Sequence, residues 1–302
     1  MTEVSFEDPS LEALIAPGTA VELLGSGCVW SEGPAWLVDR RTLLWSDIPN
    51  DRVMRWTRTA GVEVERNGVE FTNGRTVDVS GGIITCSHGH RRVERWEPDG
   101  TVTPLVSHYQ GRRFNSPNDV VVKSDGTIWF TDPPYGILSD REGHAAEPDL
   151  PRCYVFRYAP TTGALTAVTD VMVHPNGLAF SPDESVLYVS DTSAATMDDG
   201  YHHILAFDVV GGDALGDPTV FYVVDEGLPD GFRVDRSGHV FTSAGDGVHV
   251  LSPAGARIGK ILLPEVASNC TFGGTGSGDL YITATTSVYM VHTLTTGATR
   301  GT

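Results

Sequence analysis

Several motifs that identify common functional classes are missing from this sequence of 302 residues. The four cysteines, Cys28, Cys86, Cys153 and Cys270, form no C-x-x-C pair, which excludes zinc-finger and dithiol redox motifs. There is no G-x-S-x-G elbow, no H-E-x-x-H pair and no P-loop. The glycine-rich GGTGSG falls between two predicted strands, so a β-turn is the better interpretation than a phosphate cradle. We therefore expect structural, reduced cysteines and a chemistry that needs none of these motifs.

Basic charge and long apolar runs are also scarce. Lys and Arg number 21 against 39 Asp and Glu, which gives a net charge of −18. This balance argues against nucleic acid or an anionic membrane as a partner. No run approaches the roughly 18 apolar residues of a membrane-spanning helix. The segment MTEVSFEDPSLEALIAPG has acidic residues and no basic region followed by an apolar core, so we expect no signal peptide and a cytoplasmic protein.

What the sequence does contain is a unit that occurs six times. Each unit opens on one polar side chain, continues through an apolar run and a turn, and then enters a second β-rich run. A third β-rich run and a more variable fourth run follow in most units. Four antiparallel strands repeated in this way are typical of a propeller blade. We predict an all-β fold, a six-bladed β-propeller, whose opening residues are Glu32, Asn73, Asn118, Asn176, Asp230 and Asn269.

The two ends of the chain predict how the ring closes. After the run at 287–292, too few residues remain for a fourth strand in the sixth unit, whereas the run at 20–24 belongs to no unit. We predict that this N-terminal strand completes the sixth blade, which removes two exposed sheet edges. The alternative is an arm that faces solvent. We assign residues 1–19 to an N-terminal arm and residues 20–302 to a single propeller domain.

Strand direction predicts that the polar side chains share one face of the disc. The first two strands of a blade are antiparallel, so the start of the first and the end of the second lie at the same rim. Two long loops, 133–152 and 192–201, leave this rim. Long loops within a compact domain are commonly functional. We expect both loops to overhang the central mouth as lids.

The six opening side chains supply carboxylate and amide oxygens, the ligands that Ca²⁺, Mg²⁺ and Mn²⁺ prefer. The lack of clustered His or Cys argues against a dedicated zinc site. A single Asn-Gly or Asp-Gly is usually a turn. Polar residues that open every inner strand indicate a shared role at the axis, although six side chains around a channel need not all reach one ion.

The sequence resembles the SMP-30/gluconolactonase/luciferin-regenerating-enzyme family, and its bacterial gluconolactonase branch in particular, in the segments EGPAW, FNSPNDVVVKSDGTIWFTDPPYG, HPNGLAFSPDESVLYVSDT and PDGFRVDRSGHVFTS. The likeness covers nearly the whole chain. It implies a propeller with a catalytic divalent metal in its channel, held by Glu32, Asn118, Asn176 and Asp230. We expect Ca²⁺ first, with Zn²⁺, Mn²⁺, Mg²⁺ or Fe²⁺ as alternatives.

The same resemblance implies metal-dependent hydrolysis of sugar lactones, with glucono-1,5-lactone as the first candidate. The metal would polarise the lactone carbonyl, and Asp230 would act as general base for water. Expected substrate contacts are Arg113, Asp132, Tyr135 and His88. Asn73 and Asn269 are expected to line the channel without binding the ion.

Two other functions stay open at this point. One is a phosphotriesterase similar to diisopropyl fluorophosphatase, and the other is a non-catalytic propeller that binds a partner and uses the metal only for stability. The leading hypothesis needs a small-molecule lactone as its partner, and either a monomer or a small homo-oligomer satisfies it.

Overall fold

The computed structural model describes residues 2–78 and 80–298, and about half of this backbone lies in short antiparallel strands. One helical turn, α1 (Tyr135–Leu138), and four 3-10 turns (Pro9–Ala13, Ile48–Asn50, Ser193–Ala195 and Thr275–Ser277) lie between strands. None of the helices in these ranges has the length and apolarity to cross a membrane. In chain order the strands are β1 (Glu3–Phe6), β2 (Val21–Ser26), β3 (Ser31–Leu37), β4 (Thr42–Asp47), β5 (Arg52–Thr57), β6 (Gly61–Asn67), β7 (Thr72–Val77), β8 (Ile83–Ser87), β9 (Arg92–Trp96), β10 (Val102–Val106), β11 (His108–Tyr109), β12 (Arg112–Arg113), β13 (Val120–Val122), β14 (Ile128–Asp132), β15 (Tyr154–Ala159), β16 (Ala164–Thr169), β17 (Pro175–Phe180), β18 (Val186–Asp191), β19 (His203–Val210), β20 (Ala214–Leu215), β21 (Thr219–Val223), β22 (Phe232–Val234), β23 (Val240–Ala244), β24 (Gly247–Leu251), β25 (Arg257–Leu262), β26 (Ala267–Gly273), β27 (Asp279–Ala284) and β28 (Ser287–His292).

Six antiparallel sheets form the blades of a propeller, as the repeat predicts. The first five blades are β3–β6, β7–β10, β13–β16, β17–β21 and β22–β25. The sixth blade consists of β26–β28 together with β2. In the fourth blade β21 is the outer strand, and β20 adds a small hairpin at the end of β19. The hairpin β11–β12 stands between the second and third blades.

The N-terminal strand closes the ring. β2 pairs antiparallel with β28, with Val21 opposite Val291 and Ser26 opposite Ser287. The prediction that the strand near residue 20 completes the sixth blade is therefore confirmed. A second attachment was not predicted: β1 pairs with β25 and becomes the fifth strand of the fifth blade. Leu11, in the 3-10 turn that follows, is fully buried against the same blade.

Apolar side chains pack between neighbouring blades, whereas the axis is polar. Trp129 of the third blade meets Phe180 of the fourth edge to face, with ring centroids 5.3 Å apart. Phe241 and Phe272 make the same contact between the fifth and sixth blades. Such burial is the main stabilising term of the fold. Because each blade faces its neighbours with these residues, the inner edges of the blades can carry polar groups toward the channel.

Neighbouring inner strands approach so closely at the axis that only glycine fits after several of the opening residues. A Cβ atom built on Gly74 would lie 2.5 Å from the Asn118 carbonyl oxygen, and one on Gly177 would lie 2.4 Å from the Asp230 carbonyl oxygen. Gly33 meets the backbone of Asn73 in the same way, whereas a Cβ atom on Gly231 would overlap the side chain of Asn269. The glycines that follow the opening residues are therefore positions of close approach between blades. The opening Asn-Gly and Asp-Gly pairs are not independent turns.

A register shift occurs in four inner strands. The ladder between the first and second strands slips at 32–35 in the first blade, 72–75 in the second, 175–178 in the fourth and 267–269 in the sixth. Bulges of this kind bend a strand and redirect a side chain. They explain how a residue inside a regular ladder can present its side chain to the channel.

Replacing Gly177 with alanine is expected to destabilise the protein by about 1–3 kcal/mol, because the added methyl group overlaps backbone atoms of the fifth blade. Gly216→Ala is the matched control, since its Cβ would have no neighbour closer than 3.7 Å. We expect the control to change stability by less than about 0.5 kcal/mol. Equal melting temperatures for the two variants in a thermal unfolding experiment would contradict the steric account.

Candidate active site in the central channel

A cavity of about 530 Å³ opens at the axis, on the rim where the inner strands begin. Its wall includes five of the six opening side chains: Glu32, Asn73, Asn118, Asn176 and Asp230. The four side chains that the family resemblance implies as metal ligands thus face one space. They come from four different blades, so only the closed ring brings them together.

Asn269 is the opening residue that does not reach the cavity wall. Its side-chain nitrogen donates to Glu32 Oε2 over 3.1 Å, and its side-chain oxygen accepts from the Cys270 backbone N–H at 2.8 Å. Both ends of the amide thus have a hydrogen-bond partner. Asn269 therefore orients the Glu32 carboxylate, and its own oxygen is directed to the Cys270 backbone N–H.

His88 fixes the orientation of Asn73. Burial lowers the pKa of His88 to about 4, so the ring is neutral at pH 7. Its Nδ1 donates to the Glu142 carbonyl oxygen at 2.8 Å, which leaves Nε2 to accept from the Asn73 amide nitrogen at 3.3 Å. The buried Asn73 Oδ1 has no hydrogen-bond partner among the described residues. Asn73 therefore presents its oxygen to the channel.

Thr192 connects Asn176 to the two long loops. The Asn176 amide nitrogen donates to Thr192 Oγ1 at 3.0 Å, which leaves the amide oxygen for another partner. The Tyr135 hydroxyl donates to the Thr192 carbonyl oxygen at 3.2 Å and also contacts Oγ1. This small network orders one opening residue and ties the two loops to each other.

Both long loops contribute residues to the cavity wall. Tyr135, Arg141 and Glu142 come from loop 133–152, and Thr192 and Ala195 come from loop 192–201. The bond from His88 to the Glu142 carbonyl oxygen anchors the first loop from below. The mouth of the cavity is consequently framed by residues outside the repeat.

Two carboxylates share the cavity floor. Burial, followed by the charge of Asp119, raises the pKa of Glu32 to about 7. Asp230 keeps some accessible surface, yet desolvation and then the charge of Glu32 raise its pKa well above the usual range. Desolvated, mutually repelling carboxylates favour a bound cation, because the cation offsets both costs.

The donor set fits a hard divalent cation. The buried Glu32 Oε1 has no hydrogen-bond partner within the described ranges, so this oxygen is available to an ion. No group of three or more His, Cys, Asp or Glu side chains gathers around a common point in the part of the chain that the structure describes. The fit therefore depends on asparagine oxygens beside the two carboxylates, an all-oxygen set suited to Ca²⁺, Mg²⁺ or Mn²⁺.

A layer of buried charged side chains lies below the cavity floor, and it is not predicted from the sequence. Arg75 donates to the Gly33 carbonyl oxygen at 2.6 Å, and Arg233 lies 3.6 Å from the carboxylate of Asp119. All three charged side chains are almost fully buried. The sequence contains one signal for the two arginines, because an arginine follows the opening residue within three positions in NGR and DGFR.

The four predicted substrate contacts lie at different depths. Tyr135 is in the cavity wall. His88 and Asp132 are fully buried behind it, and Asp132 accepts from the Asn115 backbone N–H at 2.9 Å. Arg113 is exposed on β12 and donates to the His90 carbonyl oxygen at 3.2 Å. The structure thus brings only Tyr135 to the cavity surface.

Comparison with known proteins gives the same family that the motifs suggest. The model of the SMP-30/Gluconolactonase/LRE-like region matches residues 30–286. A gluconolactonase of Zymomonas mobilis is 34% identical over 316 aligned residues, which cover 96% of this chain and 85% of that protein.

Two solved structures share the fold of this chain over nearly its whole length. A gluconolactonase from Xanthomonas campestris, described as important in glucose secondary metabolic pathways, superposes with a TM-score of 0.90 at 41% identity, covering 96% of this chain and 94% of its own. A putative gluconolactonase superposes with a TM-score of 0.93 at 35% identity, covering 99% and 100%.

The raised pKa of Glu32 predicts how the stability of the metal-free protein depends on pH. In the folded protein the Glu32 carboxyl keeps its proton up to about pH 7, whereas in the unfolded chain it loses that proton near its ordinary pKa of 4.5. Stability therefore falls as the pH rises through this window. Glu32→Gln should flatten the fall and raise the melting temperature at pH 8, by about 2–4 °C for each kcal/mol recovered.

Thermal melting in the presence of a chelator, from pH 4.5 to pH 8, checks this prediction. Glu22→Gln on the exposed face of β2 is the matched control and should keep the wild-type slope. An identical pH slope for Glu32→Gln and the wild type would contradict the account.

Proposed function

The chain belongs to the SMP-30/gluconolactonase/LRE-like family, and from this premise we propose that it hydrolyses sugar lactones, with glucono-1,5-lactone as the first substrate to test. Gluconolactonases that match it over nearly its whole length support this reaction class. A lactone is a cyclic ester, so the enzyme is a hydrolase of carboxylic ester bonds. The observation that carries the proposal is the single cavity that gathers Glu32, Asn118, Asn176 and Asp230.

We assign these four residues to a divalent metal, with Ca²⁺ first. The free oxygen of Glu32 and the orientation of Asn176 by Thr192 support the assignment. When bound, the ion would supply Lewis-acid polarisation of the lactone carbonyl and stabilise the charge that develops on its oxygen.

Asp230 is the proposed general base. Its side chain lies in the cavity wall and keeps some accessible surface, so it can contact a water molecule as well as the ion. The carboxylate accepts one proton while the water oxygen bonds to the carbonyl carbon. The ring carbon–oxygen bond then breaks, and the ring oxygen takes the proton from Asp230 to give the open hydroxy acid and restore the carboxylate.

Other residues of the chain position the reactants. Asn269 holds Glu32, and Thr192 holds Asn176, so both groups enter the reaction already oriented. Tyr135 lies in the wall above the floor, where a polyol substrate would offer it hydroxyl groups. The two long loops limit the access of bulk water to the same space.

The replacement Asp230→Asn tests the base directly. The amide can still offer an oxygen to the ion but cannot take a proton at neutral pH, so kcat should fall by about 10²–10⁴-fold. Metal content of the purified variant, measured by mass spectrometry, should remain near that of the wild type. Full lactone hydrolysis by a metal-loaded Asp230→Asn enzyme would rule out this base. Faster turnover of an organophosphate triester than of any aldonolactone would overturn the substrate class.

The unequal roles of the opening residues give a second test. Asn118→Ala removes a proposed ligand and should weaken metal binding by more than the 10–100-fold typical of losing an outer-shell partner. Asn73→Ala is the matched control at an equivalent position and should bind the metal with nearly wild-type affinity. Calorimetric titration of the chelator-treated proteins with Ca²⁺ measures both. Equal losses in the two variants would contradict the assignment.

A further inference from the structure

A second cavity opens on the opposite face of the disc, between the first and sixth blades. Its volume is about 720 Å³, and its residues lie in the turns and strand termini at the face opposite the active-site rim. The inner wall is aromatic: Trp36 stacks on Tyr281 at 5.1 Å with an interplanar angle of 7°, and Trp56 packs against the same ring at 5.8 Å. The lactone-site residues take no part in it.

The outer wall of this cavity is basic, although the chain as a whole carries a charge of −18. Arg40, Arg41 and Arg58 line it, against a single carboxylate, Asp279. Arg40 lies 3.8 Å from Glu65, and Asp279 is bonded to His292. Arg41 and Arg58 have no side-chain hydrogen bond or ion pair with any residue that the structure describes. Two guanidinium groups are therefore free to bind an anion.

The glycine-rich turn GGTGSG contributes the third wall. It connects β26 to β27, so it is a turn as expected, and Gly274, Thr275 and Gly278 face this cavity. The Asp279 carboxylate lies against Gly274, because a Cβ atom built there would fall 2.6 Å from the Asp279 Cγ atom. The turn therefore bounds the cavity, but it offers an anion no open backbone at Gly274.

We propose that this cavity binds a small phosphomonoester, with the phosphate between Arg41 and Arg58 and the organic portion toward the tryptophans. The two guanidinium groups that have no partner in the described part of the chain, Arg41 and Arg58, match the charge of a dianion. Guanidinium groups suit phosphate oxygens because they donate paired, charge-assisted hydrogen bonds. The aromatic wall favours an organic group that has a ring. This site is separate from the central channel and does not depend on the function proposed for it.

Calorimetric titration of the full chain with phenyl phosphate tests the proposal, with benzoate as the monoanionic ring compound and inorganic phosphate as the anion without a ring. Phenyl phosphate should bind one molecule per chain, and benzoate at least about tenfold more weakly. The double variant Arg41→Ala/Arg58→Ala should lose at least about tenfold in affinity. Arg236→Ala, an exposed arginine on the same face in the fifth blade, is the matched control and should bind as the wild type does.

Lactone hydrolysis separates this site from the central one. The double variant should retain wild-type activity, because the two cavities open on opposite faces. The absence of saturable binding would overturn the proposal, and so would equal losses in the double variant and in Arg236→Ala. Binding that survives in the double variant while phenyl phosphate competes with the lactone would place the anion in the central channel instead.

Discussion

The close approach of neighbouring inner strands around the axis is the constraint on which the rest of this molecule depends. Where Gly74 or Gly177 passes the next blade, there is no room for even a Cβ atom. This spacing keeps the ring tight, and the bulges beside it redirect the opening side chains into the channel. The same geometry that closes the fold therefore forces carboxylates and amides into one small volume. A bound cation would offset the repulsion between these carboxylates.

Hydrogen bonds then give chemically similar residues different roles. Asn73, Asn176 and Asn269 occupy equivalent places in the repeat, yet each has a different amide partner: His88, Thr192 and Glu32, respectively. Only Asn269 has its oxygen occupied by a backbone N–H. The layer of Arg75, Asp119 and Arg233 beneath them adds charges of both signs below the floor. The chemistry of the site is thus set by its surroundings as much as by the residues that face the cavity.

Much of the fold could be predicted because the signal repeats. Six units with the same opening and the same strand pattern identify the blades, and the unpaired run near residue 20 identifies the closing strand. The pairing of β1 could not be predicted, since Glu3–Phe6 has no counterpart in the repeat. Asp132 ends a strand at the predicted rim but is buried behind the cavity wall, and Arg113 is exposed outside the cavity. The direction of a strand predicts the rim at which a residue lies, but it does not predict how far the side chain is from the cavity. Buried Arg75 and Arg233 were missed because a charged residue in a strand usually faces solvent.

A crystal structure of the protein grown with Ca²⁺, in which anomalous scattering locates the ion, shows directly whether the axis is a metal site. We expect one ion on the axis, with oxygen atoms of Glu32, Asn118, Asn176 and Asp230 among its ligands at about 2.3–2.6 Å. An ion held elsewhere, or an axis that stays empty at saturating Ca²⁺ while the protein is fully active, would contradict this assignment.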